Sequence, residues 1–337
     1  MKHIKLLYLF LLISWSSLPL QAADYLLQSP NGKLTVEIET KGQLSYTLKH
    51  NSQTLLDKSP IGLLLEDKIL GEDIKISRIK RNSSVKEHIV SPHYRLPSFE
   101  VTYNELNLKF KGNYGIIFRA YNEGIAYRFY TTMKGPLIIK DEMVQMNFPE
   151  DYPTFISYST MPTGEDQYAM AFQNLYTKSS IKGVDTNNIA FLPITIDCGN
   201  ELKMTLLESD LEDYPGMFIK GDGKNTSLQG TFAHYPSEIK NFPPRAMKRI
   251  TKRTDYIART TGERNYPWRI WAITEKDTEM PVNNLVYALA SPNRIGDCSW
   301  IKTGKVAWDW WNDWGISDVD FKAGINMDTY KLSLIHI

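Results

Sequence analysis

The sequence predicts a mainly β protein built on a large antiparallel β-sandwich, and three observations carry that prediction. Apolar and polar residues alternate along short stretches from Asp24 to about residue 275, turn residues punctuate those stretches at short intervals, and no long amphipathic helix interrupts them. In the first hairpin, Leu34, Val36 and Ile38 lead into Lys41-Gly42, and Leu44, Tyr46 and Leu48 lead out, with Asn31-Gly32 marking a tight turn ahead of it. A second runs through Ile116, Phe118 and Ala120, the turn Asn122-Glu123-Gly124, and Ile125, Tyr127 and Phe129. A third joins Leu192, Ile194 and Ile196 to Leu202, Met204 and Leu206 through Gly199-Asn200. Period two places each apolar set on one face, where a second sheet must cover it. A β region of roughly 250 residues is too large for an immunoglobulin-like sandwich of about 100, so a bigger two-sheet assembly is expected.

The period changes near residue 276. Val282, Leu285, Val286 and Leu289 fall at i, i+3, i+4 and i+7, one face of a linker helix over Pro281–Ala290 that Pro292 stops. Val306-Ala307-Trp308 then opens a short apolar segment, with Asn326 and Asp328 as candidate caps of a following helix. This reads as the start of an α/β unit that the chain does not finish.

Composition and charge exclude several classes. The 337 residues are 42% hydrophobic and 23% charged, enough apolar content for a substantial core. Lys and Arg number 39 against 38 Asp and Glu, which leaves no basic footprint for nucleic acid and no polybasic face for anionic lipid. Two cysteines, Cys198 and Cys298, rule out a disulfide-dense scaffold and a four-cysteine zinc site, and nothing local says whether they pair. Lys2, His3 and Lys5 precede the apolar run from Leu6 to Ile13, and Ala22 and Ala23 suit a signal peptidase, so residues 1–22 read as a secretory signal and the protein as exported and periplasmic. That apolar run is too short to span a membrane. The six histidines accompany no G-x-S-x-G elbow, and no glycine-rich phosphate loop is present.

Tryptophan is unevenly spread: Trp268, Trp271, Trp300, Trp308, Trp310, Trp311 and Trp314, seven of the eight, lie between residues 268 and 314. One reading is a sugar platform, in which indole rings stack on the apolar C–H face of a pyranose while Asp309 and Asn312 hold its hydroxyls. The other, which the general behaviour of aromatic side chains favours, is a tryptophan-rich core or interface.

Several segments carry a resemblance to a known family: 29–34 (SPNGKL), 114–129 (YGIIFRAYNEGIAYRF), 266–269 (YPWR), 299–302 (SWIK) and 304–312 (GKVAWDWWN). In this order they resemble the N-terminal part of glycoside hydrolase family 97, exported α-glycosidases typical of gut Bacteroidetes. The resemblance implies a β-super-sandwich over 23–275, a helical linker over 276–304, and the first βα unit of a catalytic (β/α)8 barrel over 305–331, with 332–337 as a candidate non-native tail. Trp310 matches the family's substrate-contacting tryptophan, with Trp311, Asp309 and Asn312 as companions at the end of the first barrel strand. Strand alternation sends Trp308 and Trp310 to one side and Asp309 and Trp311 to the other, so all four reach one pocket only if the strand end bends. The resemblance also implies a calcium ion near the sugar, with one glutamate reaching in from the sandwich. Glu165 is the candidate and Glu208 the alternative; hard oxygen donors suit that ion. An ordinary solvated charged turn is the competing reading of Glu208, Asp210, Glu212 and Asp213.

A complete barrel needs about 250 residues, so this chain is expected to lack the catalytic carboxylates and to be inactive alone. The form of residues 308–312 and 319–326 is closer to the retaining α-galactosidases of the family than to its inverting α-glucosidases, with an oligosaccharide as substrate and no organic cofactor. Two further readings stay open: a carbohydrate-binding sandwich without catalysis, and a purely structural exported sandwich.

Overall fold

The computed structural model describes residues 24–91, 94–161, 164–169, 173–242, 247–304, 320–322, 326–329 and 331. The expected signal at 1–22 and most of the expected βα unit at 305–331 lie outside the described residues.

The alternating stretches form strands. Leu34–Glu39 pairs antiparallel with Ser45–His50, Leu34 opposite His50 and Ile38 opposite Tyr46. Leu34, Val36 and Ile38 are fully buried while their neighbours are half-exposed, the period-two signature of a strand with one covered face. The second hairpin pairs Tyr114–Tyr121 with the start of the strand Gly124–Asn147, and the third pairs Ala190–Asp197 with Lys203–Ser209. Among the described residues seventeen strands join in one hydrogen-bonded network, and Pro236–Phe242 with Met247–Arg253 forms a separate two-stranded ribbon.

The 24-residue strand Gly124–Asn147 organises this network. Along its length it pairs with Tyr114–Tyr121, Trp268–Thr274, Ala258–Asn265, Ser227–Phe232 and Gln53–Leu65. Gln53–Leu65 pairs in turn with Ser45–His50, which links the network's first hairpins to the rest. Face-to-face packing closes the sandwich. The Tyr46 ring lies 6.1 Å from that of Phe118 and 5.5 Å from that of Tyr127, and Trp271 Nε1 donates to Tyr46 Oη at 2.9 Å.

A second apolar cluster lies on the other face of Trp268–Thr274. Trp268, Ile270 and Ala272 alternate with Trp271 and Ile273 and pack with Tyr121, Ala126, Leu285, Ala288 and Leu289. The helix expected over 281–290 is two pieces, a 3-10 segment Asp277–Val282 and a five-residue α-helix Leu285–Leu289. Asn283 between them is extended, at φ −62° and ψ 132°, and its Oδ1 accepts from Leu285 N at 3.0 Å, so a side-chain bond replaces continuous helix. Leu285 and Leu289 are buried, whereas Val282, ahead of the break, is 46% exposed. Both pieces belong to the compact unit formed by residues up to Val90 and Ser98–Ser291; a second unit comprises Ser91–Pro97 and Pro292–Ile337. Cys198 and Cys298 are both free, and burial pushes the Cys198 thiol up to about 12. Among the described residues no helix is long and apolar enough to cross a membrane.

Candidate functional site

Trp310, Trp311, Asp309 and Asn312 lie outside the described residues. Glu165 is described, and it stands on the rim of a cavity of about 580 Å³ in the first unit. That volume is within the range of about 300–1,000 Å³ typical of ligand pockets.

The loop that presents Glu165 is pinned on its C-terminal side. Gln167 is buried, its Oε1 accepts from Ile189 N at 2.8 Å, and its carbonyl accepts from Ser159 Oγ at 3.2 Å. Asp166 accepts from Arg253 Nε at 3.0 Å and Nη2 at 2.7 Å, and Arg253 Nη1 donates to the His234 carbonyl at 2.6 Å. Tyr168 shares a hydrogen bond with Thr231 at 2.8 Å, and its ring meets Phe218 edge to face at 5.0 Å. Loop, strand Ser227–Phe232 and the base of the two-stranded ribbon are thus tied around one cavity.

The lining divides by engagement. Asp166 is neutralised by Arg253, whereas the exposed Glu165 carboxylate makes no hydrogen bond or ion pair among the described residues. Asp141 also lines the cavity, and burial raises its carboxyl above the usual range although Glu142 N donates to it at 2.8 Å. Lys220, Lys252, His234 and Tyr168 supply donors. Two carboxylates among several donors suit a polyhydroxylated ligand.

Beneath the cavity lies an ion network that no single stretch of sequence announces. Arg269, 1% exposed, donates through Nε and Nη2 to Glu142 at 2.9 and 2.7 Å and through Nη1 to Glu208 at 2.6 Å. Its guanidinium also lies 5.2 Å over Phe232, whose ring lines the cavity. Burial by itself would lower the Arg269 pKa, and the two carboxylates outweigh it so that the guanidinium is held more firmly charged. Burial raises the Glu208 carboxyl, partly offset by Arg269 and the Met217 amide. The alternative metal ligand is therefore already committed: Glu208 serves Arg269 and the Met217 amide. The neighbouring acids are tethers too. Asp210 accepts from Arg128 Nη1 at 3.2 Å and from Ser291 N at 2.9 Å, and the carbonyls of Glu212 and Asp213 accept from Arg264.

The donor chemistry of Glu165 fits calcium, but the donor number does not make a site. Calcium takes about 6–8 oxygens, and among the described residues no three His, Cys, Asp or Glu side chains are grouped to hold a metal ion. Two of the clustered tryptophans are core residues rather than a platform. Trp268 and Trp271 are each 1% exposed, and Trp268 lies under Arg128 at 4.4 Å and Arg119 at 5.1 Å.

Residues 27–292 match the family described as "Glycosyl-hydrolase 97 N-terminal". The chain belongs to glycoside hydrolase family 97. This family 97 chain is 38% identical over 335 residues to a retaining alpha-galactosidase of Bacteroides thetaiotaomicron, covering 97% of this chain and 50% of that protein. Two solved family 97 structures from Pseudoalteromonas sp. strain K8 share the fold. The complex with panose has a TM-score of 0.71 at 19% identity, and the complex with acarbose 0.70 at 18%; each alignment covers 86% of this chain and 41% of the other. The chain thus spans half or less of the length of the relatives it matches.

Proposed function

We propose that this chain is the N-terminal part of an exported, calcium-dependent α-glycosidase that releases terminal α-linked galactose from oligosaccharides with retention. The 38% identity to a retaining alpha-galactosidase, sustained over 97% of the chain, carries the reading. Retaining hydrolysis needs a carboxylic acid to protonate the leaving oxygen and a carboxylate nucleophile about 5–5.5 Å away. Neither role is assigned to a residue of this chain, which by itself is inactive. Its contribution is the wall around Glu165: Asp141, Lys220 and His234 offer hydroxyl partners to the sugar, and Arg253 holds the Glu165 loop through Asp166. Glu165 would furnish one oxygen ligand to calcium, which when bound polarises the sugar oxygens. Trp310, with Trp311, Asp309 and Asn312, would complete the sugar contacts, and residues 1–22 would direct export to the periplasm.

The test is hydrolysis of p-nitrophenyl α-galactoside and α-glucoside, with and without a calcium chelator, by this chain and by the polypeptide extended to the length of its relatives. Cleavage of the galactoside by the extended form alone, abolished by chelation and weakened by Glu165→Gln, is the expected result. Preference for the glucoside overturns the sugar assignment. Inactivity of the extended form on both overturns the hydrolase reading.

A further inference from the structure

Two of the segments that carry the family resemblance, 29–34 and 114–129, meet around a second cavity of about 350 Å³ in the first unit. Its walls come from the turn at Asn31 and Lys33, from His50, from the hairpin turn at Asn122 and Glu123, and from Glu275, Glu279 and Val282.

The backbone here is fully employed. The Glu123 carbonyl accepts from Ile273 N at 2.9 Å and from Asn283 Nδ2 at 3.1 Å, while Asn122 Oδ1 accepts from Asn31 N at 3.0 Å. Gly124 has φ +153°, and a Cβ there would collide with the Trp271 carbonyl. The fold therefore uses the main chain of residue 123 and leaves its side chain over. The Glu123 carboxylate is half-buried, and burial raises its pKa, with its own backbone N–H offsetting that in part. Among the described residues it has no cation beside it.

Across the cavity, Lys33 Nζ donates to both oxygens of Glu275 at 2.8 Å, and His50 Nε2 lies 2.9 Å from one of them. Three carboxylates against one lysine and one histidine disfavour an anion, and no group of three metal-binding side chains forms among the described residues. Among the described residues no aromatic ring lines the cavity, so a flat aromatic ligand finds no stacking partner there. What the lining offers is carboxylate acceptors beside Asn122 and Lys33 donors, with Leu34, Ile273 and Val282 as apolar surface, which matches adjacent hydroxyls on a molecule with one apolar face.

We propose that this cavity is a saccharide-binding pocket for a single pyranose unit, held by hydrogen bonds to the Glu123 carboxylate and the Asn122 and Lys33 donors, with Val282 against the sugar's C–H face. The ligand's hydroxyls give the half-buried carboxylate hydrogen-bond donors that the other described side chains do not supply. Without stacking, affinity should be weak, in the millimolar range. The proposal does not depend on hydrolysis, because binding here needs none of the catalytic carboxylates.

The experiment is saturation-transfer NMR and titration of the full purified chain with methyl α-galactoside and methyl α-glucoside. Millimolar binding of at least one glycoside is expected, weakened about tenfold or more by Glu123→Ala with an unchanged or raised Tm, and retained in Glu165→Gln. Should Glu123→Ala fail to fold, Val282→Arg at its exposed position decides by setting a long cationic side chain across the cavity against Glu123, with the same loss expected. Absence of binding at tens of millimolar, or wild-type affinity in the deciding variant, overturns the proposal. Binding lost in Glu165→Gln and kept in Glu123→Ala also overturns it, placing the sugar in the first cavity. Failure of the hydrolysis assay with this binding intact sinks the hydrolase reading alone.

Discussion

Arg269 bridges the buried Glu142 and the half-buried Glu208, and the energetics of the core turn on it. Replacing it with methionine leaves Glu142 and Glu208 without their shared cation, the case in which a broken buried ion pair costs about 3–5 kcal/mol. Urea denaturation at neutral pH should show a loss of that order. Glu123 is the opposite case, a carboxylate whose ionisation works against the fold. Its pKa is raised, so the stability contributed by its neutral form is intact below the ordinary value of 4.5 and is lost as pH rises through the shifted value. Glu123→Gln is expected to raise Tm at neutral pH and to have no effect below 4.5, which thermal melts across pH would check. Asp222 has the reverse sign. Burial acts to raise its pKa, but hydrogen bonds from Ser227 Oγ, the amides of Lys224 and Asn225, and Asn225 Nδ2 bring the carboxyl down to about 2. Its contribution is present above 3.8 and disappears as pH falls toward 2, so Asp222→Ala should cost roughly 1 kcal/mol at neutral pH and nothing in strong acid.

At the level of elements, the hairpins were legible because a two-residue period and a glycine-bearing turn sit next to each other in the chain. Leu34–Glu39 with Ser45–His50, and Tyr114–Tyr121 with the start of Gly124–Asn147, are of this kind. The length of Gly124–Asn147 was not legible, because Gly135-Pro136 lies in its middle and reads locally as a break. Pairing with Ala258–Asn265, with a register shift between Thr261 and Glu263, carries the strand through that point. The linker helix was read from apolar spacing alone, and the Asn283 side chain divides it. Gly124 fastens one of the legible hairpins into the core: a Cβ there meets the Trp271 carbonyl and comes within 2.6 Å of Leu285 Cδ1. Gly124→Ala should therefore destabilise by about 1–3 kcal/mol from overpacking, with the strain of its backbone conformation added. Chemical denaturation of the variant tests this.

The first compact unit ends at Ser291, and residues 290–297 are all exposed. Limited trypsinolysis should cut at Arg294 and leave the part from Asp24 onward folded, with its melting transition retained, because exposed segments of small and polar residues are preferred sites of nicking. Prior loss of the strands of the first unit would contradict this. The amino-acid sequence by itself determined the β class, the positions of the hairpins and, through the order of its short motifs, the family. Each of these depends on residues close together in the chain or on composition, where local sterics and period are sufficient. Only the tertiary structure decided that Trp268 and Trp271 are core, that Glu208 is bound to Arg269, and that Glu165, on the rim of a cavity shared with Asp141 and Arg253, is left unengaged among the described residues. These depend on partners 127 residues apart for Arg269 and Glu142 and 87 apart for Arg253 and Asp166. Whether a carboxylate is free or paired is set by which distant cation the packed sheets bring within 3 Å of it, and no local pattern encodes that distance.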